Sequence, residues 1–322
     1  MNLLVGYPEI ECEMNLIEEA LLSNVHSKQP LVAKTTEELL NAGGKRLRPL
    51  LMVLCAMSGC YNRDKIIPLA AAVEILHMAT LVHDDIIDEA HLRRGRQTVQ
   101  SKWGKDIAVF TGDFLLCKAF LLLSKFNDME NTSKMARAVK VVCEGEIQQY
   151  HSRYKTELNV TGYLKRIAAK TAVLFSISSY IGSYEGGCRR KVVSAMGKFG
   201  MSMGMAFQIT DDVLDFTGEN ILMGKPVSND FTQGIYTLPI IYALRSNAYS
   251  DKMKKCLAKK EFSDDDVRKI ISIAADSGGV DYAQKLAKRY IDKARQHLKM
   301  VPDGASKEIM AAILNQLIGR KV

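Results

Sequence analysis

Apolar residues fall in long, proline-free runs. Between Pro68 and Pro226 the chain continues for 157 residues, Leu69 to Lys225, without a proline. The stretches "LAAAVEILHMATLVHDD", "DIAVFTGDFLLCKAFLLLSKF" and "RKVVSAMGKFGMSMGMAFQITDD" are too long for ordinary strands and lack strict alternation. Rich in Ala, Leu, Met and Lys, they predict long helices. No convincing strand pair is visible. Gly186-Gly187 and "FTGENILMGKP" read as loops, and no linker or low-complexity segment divides the chain. One all-α domain over residues 1–322 is therefore expected. From about Asp251 the chain is more charged, and Ser263 followed by Asp264, Asp265 and Asp266 predicts a capped helix start whose acids complement the helix dipole.

The apolar run at residues 69–83 ends in carboxylates: "LVHDDIIDEAHLRRGR" carries Asp84, Asp85 and Asp88, followed by arginines. On a helix Asp84 and Asp88 lie one turn apart on one face, with Asp85 beside them. Such crowded like charges repel unless a cation relieves them. Asp211, Asp212 and Asp215 repeat the D-D-x-x-D spacing 127 residues later, again at the end of an apolar run. Mg²⁺ binds through one or two carboxylates while keeping waters and borrowing phosphate oxygens, so two facing clusters suit a diphosphate carried between several ions. The run Asp264 to Asp266 is different, because its consecutive spacing fans the acids around the axis and points to a structural role.

Gly197, Gly200 and Gly204 lie 14, 11 and 7 residues before Asp211, on nearly the same helical face. They could serve close helix packing or leave room for a long apolar substrate beneath the acids. Ala79 and Thr80, just below Asp84, are also small.

Composition narrows the partners. A formal charge of +8 and a pI near 9.0 favour an anionic ligand. The basic residues are spread out except for "GGKRLRP" at 43–49 and "RRGR" at 93–96, with one Trp and no aromatic-basic interleaving of the kind that stacks bases. A small phosphorylated ligand fits better than nucleic acid. No segment reaches the roughly 18 uninterrupted apolar residues of a membrane span. The start, "MNLLVGYPEIECEMN", lacks a basic region and carries early acids, so an uncleaved cytoplasmic chain is expected. Seven scattered cysteines, odd in number and never spaced C-x-x-C, suggest neither disulfides nor zinc.

These residues together resemble the trans-polyprenyl diphosphate synthases, which elongate isoprenoid chains head to tail. The match runs through "GGKRLRP", "HMATLVHDDIIDEAHLRRGR", "GDFLL", "GEIQQ", "KTAVLF", "QITDDVLDF", "GKPVSND" and "TLPIIYAL", over about residues 40–245. The resemblance implies a bundle of long antiparallel helices around a central cavity. It implies that Asp84, Asp85, Asp88, Asp211, Asp212 and Asp215 hold three Mg²⁺ ions against the diphosphate of an allylic substrate. Arg93, Lys170 and Lys225 match positions that meet the developing charge on that leaving group. Thr171 and Gln208 match positions lining the allylic carbocation. Lys45, Arg48 and Arg94, with His77, match the positions that bind isopentenyl diphosphate. His83 is read as structural or as supporting the acids from behind. Ionisation, condensation and elimination require no protein nucleophile, and the released diphosphate is the expected base.

In this family product length follows from what blocks the growing tail below the first acid cluster. Short-chain members place bulky aromatics four or five positions before the first Asp, or insert two residues in the motif; here Ala79 and Thr80 stand there, without an insertion. A position five residues back is only about 7 Å down the axis, so products of roughly C30 to C45 from farnesyl or geranylgeranyl diphosphate are expected. The cavity floor is expected near Phe120 or Leu121. A long prenyl product could associate with a membrane. The segment "GIYTLP" departs from the family, with Ile235 where a lysine often contacts the allylic diphosphate. Some long-chain members, including catalytic subunits of two-component heptaprenyl synthases, lack it too. A homodimer is expected, with a heterodimer including a small partner subunit as the alternative. A geranylgeranyl or other short-chain synthase also stays open. A terpene cyclase is disfavoured, because "NDFTQG" lacks the Ser and Glu of its second metal motif.

Overall fold

The computed structural model describes residues 7–126, 129–217, 230–259 and 261–319. They are overwhelmingly helical, as the proline-free runs predict. The chain forms two compact units, one drawn from Met1–Ala136, Ile177–Gly197 and Val301–Met310, the other from Arg137–Ser176, Lys198–Met300 and Ala311–Val322.

In the first unit, α1 (Pro8–Asn24) and α2 (Pro30–Asn41) each begin at a proline, where the missing N–H leaves no hydrogen bond unmade. Apart from Arg48 in its first turn, helix α3 (Leu47–Ala56) is apolar, and Leu50 through Ala56 are all buried. It starts from Arg46, held at φ 45°. Gly182 lies against the Met52 backbone, where a Cβ would meet its carbonyl. Helix α4 (Arg63–Ile87) carries the first acid cluster at its C-terminal end. After α5 (Val99–Trp103), α6 (Lys105–Ser124) packs on α4: Gly112 lies so close to the His83 ring that a Cβ would collide with it, and His83 Nε2 is 3.3 Å from Asp113 Oδ1. His83 thus packs at the contact of the two helices.

By length and composition α4 and α6 could each cross a membrane. Most of α4 is core, whereas α6 buries Ala108, Leu115, Ala119 and Leu122 and leaves Phe110 63% and Leu121 60% exposed. Leu121 therefore cannot be the cavity floor suggested by the sequence, because the helical phase that buries Ala119 and Leu122 turns it outward.

Two short strands, Leu92–Arg93 (β1) and Arg96–Gln97 (β2), correct the expectation of no strand pair. They are too short to show alternation. The signal is the turn between them: Arg94 at φ 53° and Gly95 at φ 75° are both left-handed, as a two-residue hairpin turn requires.

The second unit takes residues from α7 (Met129–Ser152), all of α8 (Val160–Ile167), and the π-helical turn Ala168–Ala172 that leads into α9 (Val173–Glu185). It also contains the greater part of α10 (Arg190–Thr217), the 3₁₀ turn Asp230–Gln233, α11 (Leu238–Arg245), α12 (Ser250–Leu257), α13 (Asp264–Asp276), α14 (Gly279–Leu298) and the end of α15 (Ala305–Gly319). Its core joins Ile209 and Val213 of α10 to Leu238 and Ile241 of α11 and Ala283 of α14. Each such aliphatic side chain contributes about 1.5–3 kcal/mol when fully buried. Ser263 caps α13 in a reciprocal capping box with Asp266, the structural role expected of that acidic run.

For Gly204, one of the glycine row, the surroundings favour close packing. A Cβ there would lie 2.6 Å from Ala172 Cα and 2.9 Å from Ala172 Cβ, so this glycine permits close approach of α10 to the π turn and does not open a groove. The seven cysteines are free, in line with the absence of a disulfide pattern.

Candidate active site

In the first unit, Asp84 and Asp85 are buried near the end of α4, with Asp88 as its C-cap. The chain leaves the helix through Glu89 at φ 49° and returns by the β1–β2 hairpin, tied down where Thr98 Oγ1 and Gln100 Nε2 donate to the Ala90 carbonyl at 2.6 and 2.8 Å. This return brings Arg93 onto Asp85: Nε and Nη2 lie 2.8 and 2.7 Å from Oδ1. Burial raises the Asp85 pKa, Asp88 adds to the rise, and Arg93 opposes both.

Beside this pair is a pocket of about 360 Å³, lined by His77, Arg93 and Arg94 together with Arg46, Glu74 and Asp85. Arg94 donates to the Gly43 carbonyl, which bridges the hairpin and the "GGKRLRP" turn. Burial and then the neighbouring guanidinium groups of Arg48, Arg94, Arg93 and Arg46 hold the His77 pKa well below the usual histidine range, so His77 is neutral and can donate or accept a hydrogen bond. Burial lowers Arg48 to about 10, still charged at neutral pH.

Sequence reasoning passed over Arg46 and Glu74. Arg46 is buried and bridges Glu18 at 2.7 Å and Glu74 at 3.1 Å. Lys45 is exposed, and neither it nor Arg48 lines the pocket. The available signal was Glu74 itself, an acid inside the apolar run "AAAVEIL", one turn before His77. Below the cluster Ala79 is buried, and the Thr80 hydroxyl donates to the His77 carbonyl at 2.8 Å.

In the second unit, Asp212 is buried on α10 and both its oxygens accept from protein groups: Oδ2 from the Tyr163 hydroxyl at 2.6 Å, Oδ1 from Gln208 Nε2 at 2.8 Å. Thr171 Oγ1 donates to Gln208 Oε1 at 2.7 Å, so the two residues expected to line the carbocation are in contact. Burial pushes Asp212 up to about 7 against its hydrogen bonds from Tyr163 and Gln208. Asp215 rises to about 8 through burial and then the charges of Asp230, Asp212 and Asp211. Lys170 and Thr171 lie in the π turn, a form of local widening often found at functional sites, and Lys170 Nζ pairs with Glu146 of "GEIQQ" at 2.9 Å. Ile235 is buried, so the departure from the lysine pattern is an apolar core contact. Lys225 lies outside the described residues.

Among the described residues no three carboxylate, histidine or cysteine side chains converge on one point. Neither cluster is a closed cage. That donor set fits Mg²⁺, which takes few carboxylates and completes its shell with water and phosphate oxygens. The raised Asp212 and Asp215 mark buried, crowded acids whose ionised form a divalent cation would stabilise.

A family model described as polyprenyl synthetase matches residues 29–274. The chain belongs to this family. It is 36% identical over 321 residues to the heptaprenyl diphosphate synthase component 2 of Bacillus subtilis (strain 168), covering 100% of this chain and 92% of that one. It is 33% identical over 293 residues to a geranylgeranyl diphosphate synthase of Methanosarcina mazei, covering 89% of each. Among solved structures, a polyprenyl synthase from Caulobacter crescentus CB15 complexed with calcium and isoprenyl diphosphate superposes with a TM-score of 0.91 at 33% identity, covering 100% of this chain and 98% of that one. The family membership fits both the all-α architecture and prenyl diphosphate synthase activity, and its members span several product lengths.

Proposed function

We propose that this protein is a Mg²⁺-dependent long-chain trans-prenyltransferase, joining isopentenyl diphosphate to farnesyl or geranylgeranyl diphosphate and releasing products of roughly C30 to C45, a range that rests on the small residues within about 7 Å below Asp84. The observation that carries this reading is the cationic pocket of about 360 Å³ in which Arg93 and Arg94 meet His77 beside Asp85. Its size and charge suit a small diphosphate next to an acid cluster.

Arg94 and His77, with Lys45 and Arg48 from the neighbouring turn, are assigned to the isopentenyl headgroup; neutral His77 offers a hydrogen bond without adding charge. Arg93, Lys170 and Lys225 are assigned to the leaving diphosphate of the allylic partner. Asp84, Asp85 and Asp88 of the first cluster, with Asp211 and Asp215 of the second, would hold Mg²⁺, which when bound supplies positive charge against the diphosphate oxygens. The allylic C–O bond breaks, its electron pair leaves with diphosphate, and Thr171 and Gln208 turn oxygen dipoles toward the cation. The isopentenyl double bond forms the new C–C bond, and the released diphosphate takes the proton lost from the resulting tertiary cation.

A second reading has specific support: this chain as the catalytic half of a two-component synthase. It rests on the likeness to component 2 of the Bacillus enzyme, on Ile235 in place of lysine, and on the uncovered stripe of Phe110, Cys117 and Leu121 along α6, where a second copy or a small subunit could bind. The deciding experiment incubates the purified chain with labelled isopentenyl diphosphate, each allylic primer and Mg²⁺, with a chelated control, and sizes the dephosphorylated products. A metal-dependent ladder ending in one long prenol supports a self-sufficient long-chain enzyme. A ladder stopping at C20 sinks the long-chain assignment, and no product unless a partner is added favours the two-component reading.

A further inference from the structure

The second unit contains a closed run of hydrogen bonds that the acid motif alone does not explain. Tyr163 on α8 is 2% exposed, and its hydroxyl donates to Asp212 Oδ2 at 2.6 Å. Gln208, one helical turn before Asp212 on α10, donates its amide to Oδ1 at 2.8 Å. The Thr171 hydroxyl donates to Gln208 Oε1 at 2.7 Å. Two rungs therefore connect α10 to the helix that runs from α8 into the π turn, with Tyr163–Asp212 as one and Thr171–Gln208 as the other.

Every donor in the run points toward Asp212. Asp212 accepts on both oxygens, and Gln208 turns its amide nitrogen to Asp212 and its carbonyl toward Thr171. Thr171 has then committed its proton to that carbonyl. The negative ends of both dipoles are thereby turned away from Asp212, the polarity that stabilises a carbocation. Tyr163 holds the other oxygen of Asp212 and fixes the carboxylate plane from which this order follows. An acid that is 4% exposed and accepts on both oxygens is poorly placed to serve a metal as well.

We propose that Tyr163 is a positioning residue, acting through Asp212 to orient Gln208 and Thr171, and that Asp212 is the anchor of this lining while metal binding in the second cluster rests on its neighbours. The inference rests on the prenyltransferase reading for its catalytic consequence, but the assignment of Asp212 can be tested without turnover.

The test compares Tyr163→Phe, which keeps the ring and the packing, with Asp212→Asn and Asp211→Asn. Removing one buried donor to a carboxylate is expected to lower kcat about 10- to 100-fold. KM for isopentenyl diphosphate and the Mg²⁺ concentration for half-maximal rate should stay within about twofold of wild type, since neither depends on orienting the cation lining. Tyr163→Phe combined with Thr171→Val should lose less than the product of the single effects, because both act through one network. In thermal melts with Mg²⁺ and inorganic diphosphate, Tyr163→Phe and Asp212→Asn should keep the wild-type rise in Tm, and Asp211→Asn should lose it. Unchanged kcat in Tyr163→Phe, or loss of the Tm rise in Asp212→Asn, overturns the proposal. A wild type that melts higher with Mg²⁺-diphosphate but turns over no allylic primer refutes the prenyltransferase reading instead, while the melts still decide the role of Asp212.

Discussion

The two acid clusters share one spacing and differ in how the middle acid is held. Asp85 is paired with a cation, Arg93, at 2.7 Å. Among the described residues Asp212, just as deeply buried, accepts from the neutral Tyr163 hydroxyl and Gln208 amide, while the Arg166 guanidinium acts on it through its charge without a direct ion pair. A guanidinium compensates charge, whereas neutral donors orient a carboxylate without cancelling it. Accordingly Asp212 rises to about 7 and Asp215 to about 8, so the second cluster remains in need of a cation that the first partly supplies from its own hairpin. Identical motifs therefore have different surroundings: the first adjoins a pocket lined by Arg93, Arg94 and Arg46, the second a run of hydrogen bonds through Tyr163, Gln208 and Thr171.

The largest effect expected is on turnover. Asp84→Ala and Asp211→Ala should each reduce it about a thousandfold or more, with helix content by circular dichroism unchanged, if both clusters carry metal. Near-normal turnover in either would break the equivalence at that cluster.

Arg93→Ala should come next, because it leaves Asp85 buried without its cation. Loss of a buried pair partner costs about 3–5 kcal/mol, and the partial exposure of Arg93, 39%, reduces this to roughly 1–2 kcal/mol in urea unfolding. Arg93→Lys should recover part of that stability, since it restores the charge without the guanidinium geometry.

The third contrast is with pH. Folded Asp212 and Asp215 keep their protons to about 7 and about 8, while an unfolded aspartate releases its proton near pH 3.9. The native state then binds more protons over that interval, so the contribution of these groups to stability is complete below about pH 4 and is lost as pH rises through 7 and 8. Metal-free protein should melt at progressively lower temperature across this window. Asp215→Asn should flatten the slope, and Mg²⁺ should restore stability at the alkaline end. An identical slope in wild type and Asp215→Asn would assign the dependence to other groups.

The smallest effects separate the positions beneath the clusters. Ala79→Phe should shorten the product by one or more five-carbon units while the acids continue to work. Gly204→Ala should leave product length alone and cost about 1–3 kcal/mol, because its new methyl meets the Ala172 backbone. A product shift from Gly204→Ala, and none from Ala79→Phe, would reverse the placement of the cavity.

The sequence by itself determined what local periodicity and covalent spacing can encode. Proline-free apolar runs required helices, D-D-x-x-D put acids on one helical face, and Ser263 with Asp266 specified a helix start. The two spaced aspartate clusters in a chain of net charge +8 directed attention to a hard cation and phosphate. What each acid touches was decided only in the folded chain. Tyr163 meets Asp212 across 49 positions, Arg46 meets Glu18 and Glu74 across 28 each, and Arg94 meets Gly43 across 51. Leu121 turns outward because its neighbours on α6 take the buried phase, and Gly204 is needed because Ala172 comes close. Helical phase and residue spacing repeat along a chain, but burial and partners such as Tyr163 come from segments distant in sequence. Two clusters written alike acquired different surroundings when the hairpin folded Arg93 onto Asp85 and α8 brought Tyr163 to Asp212.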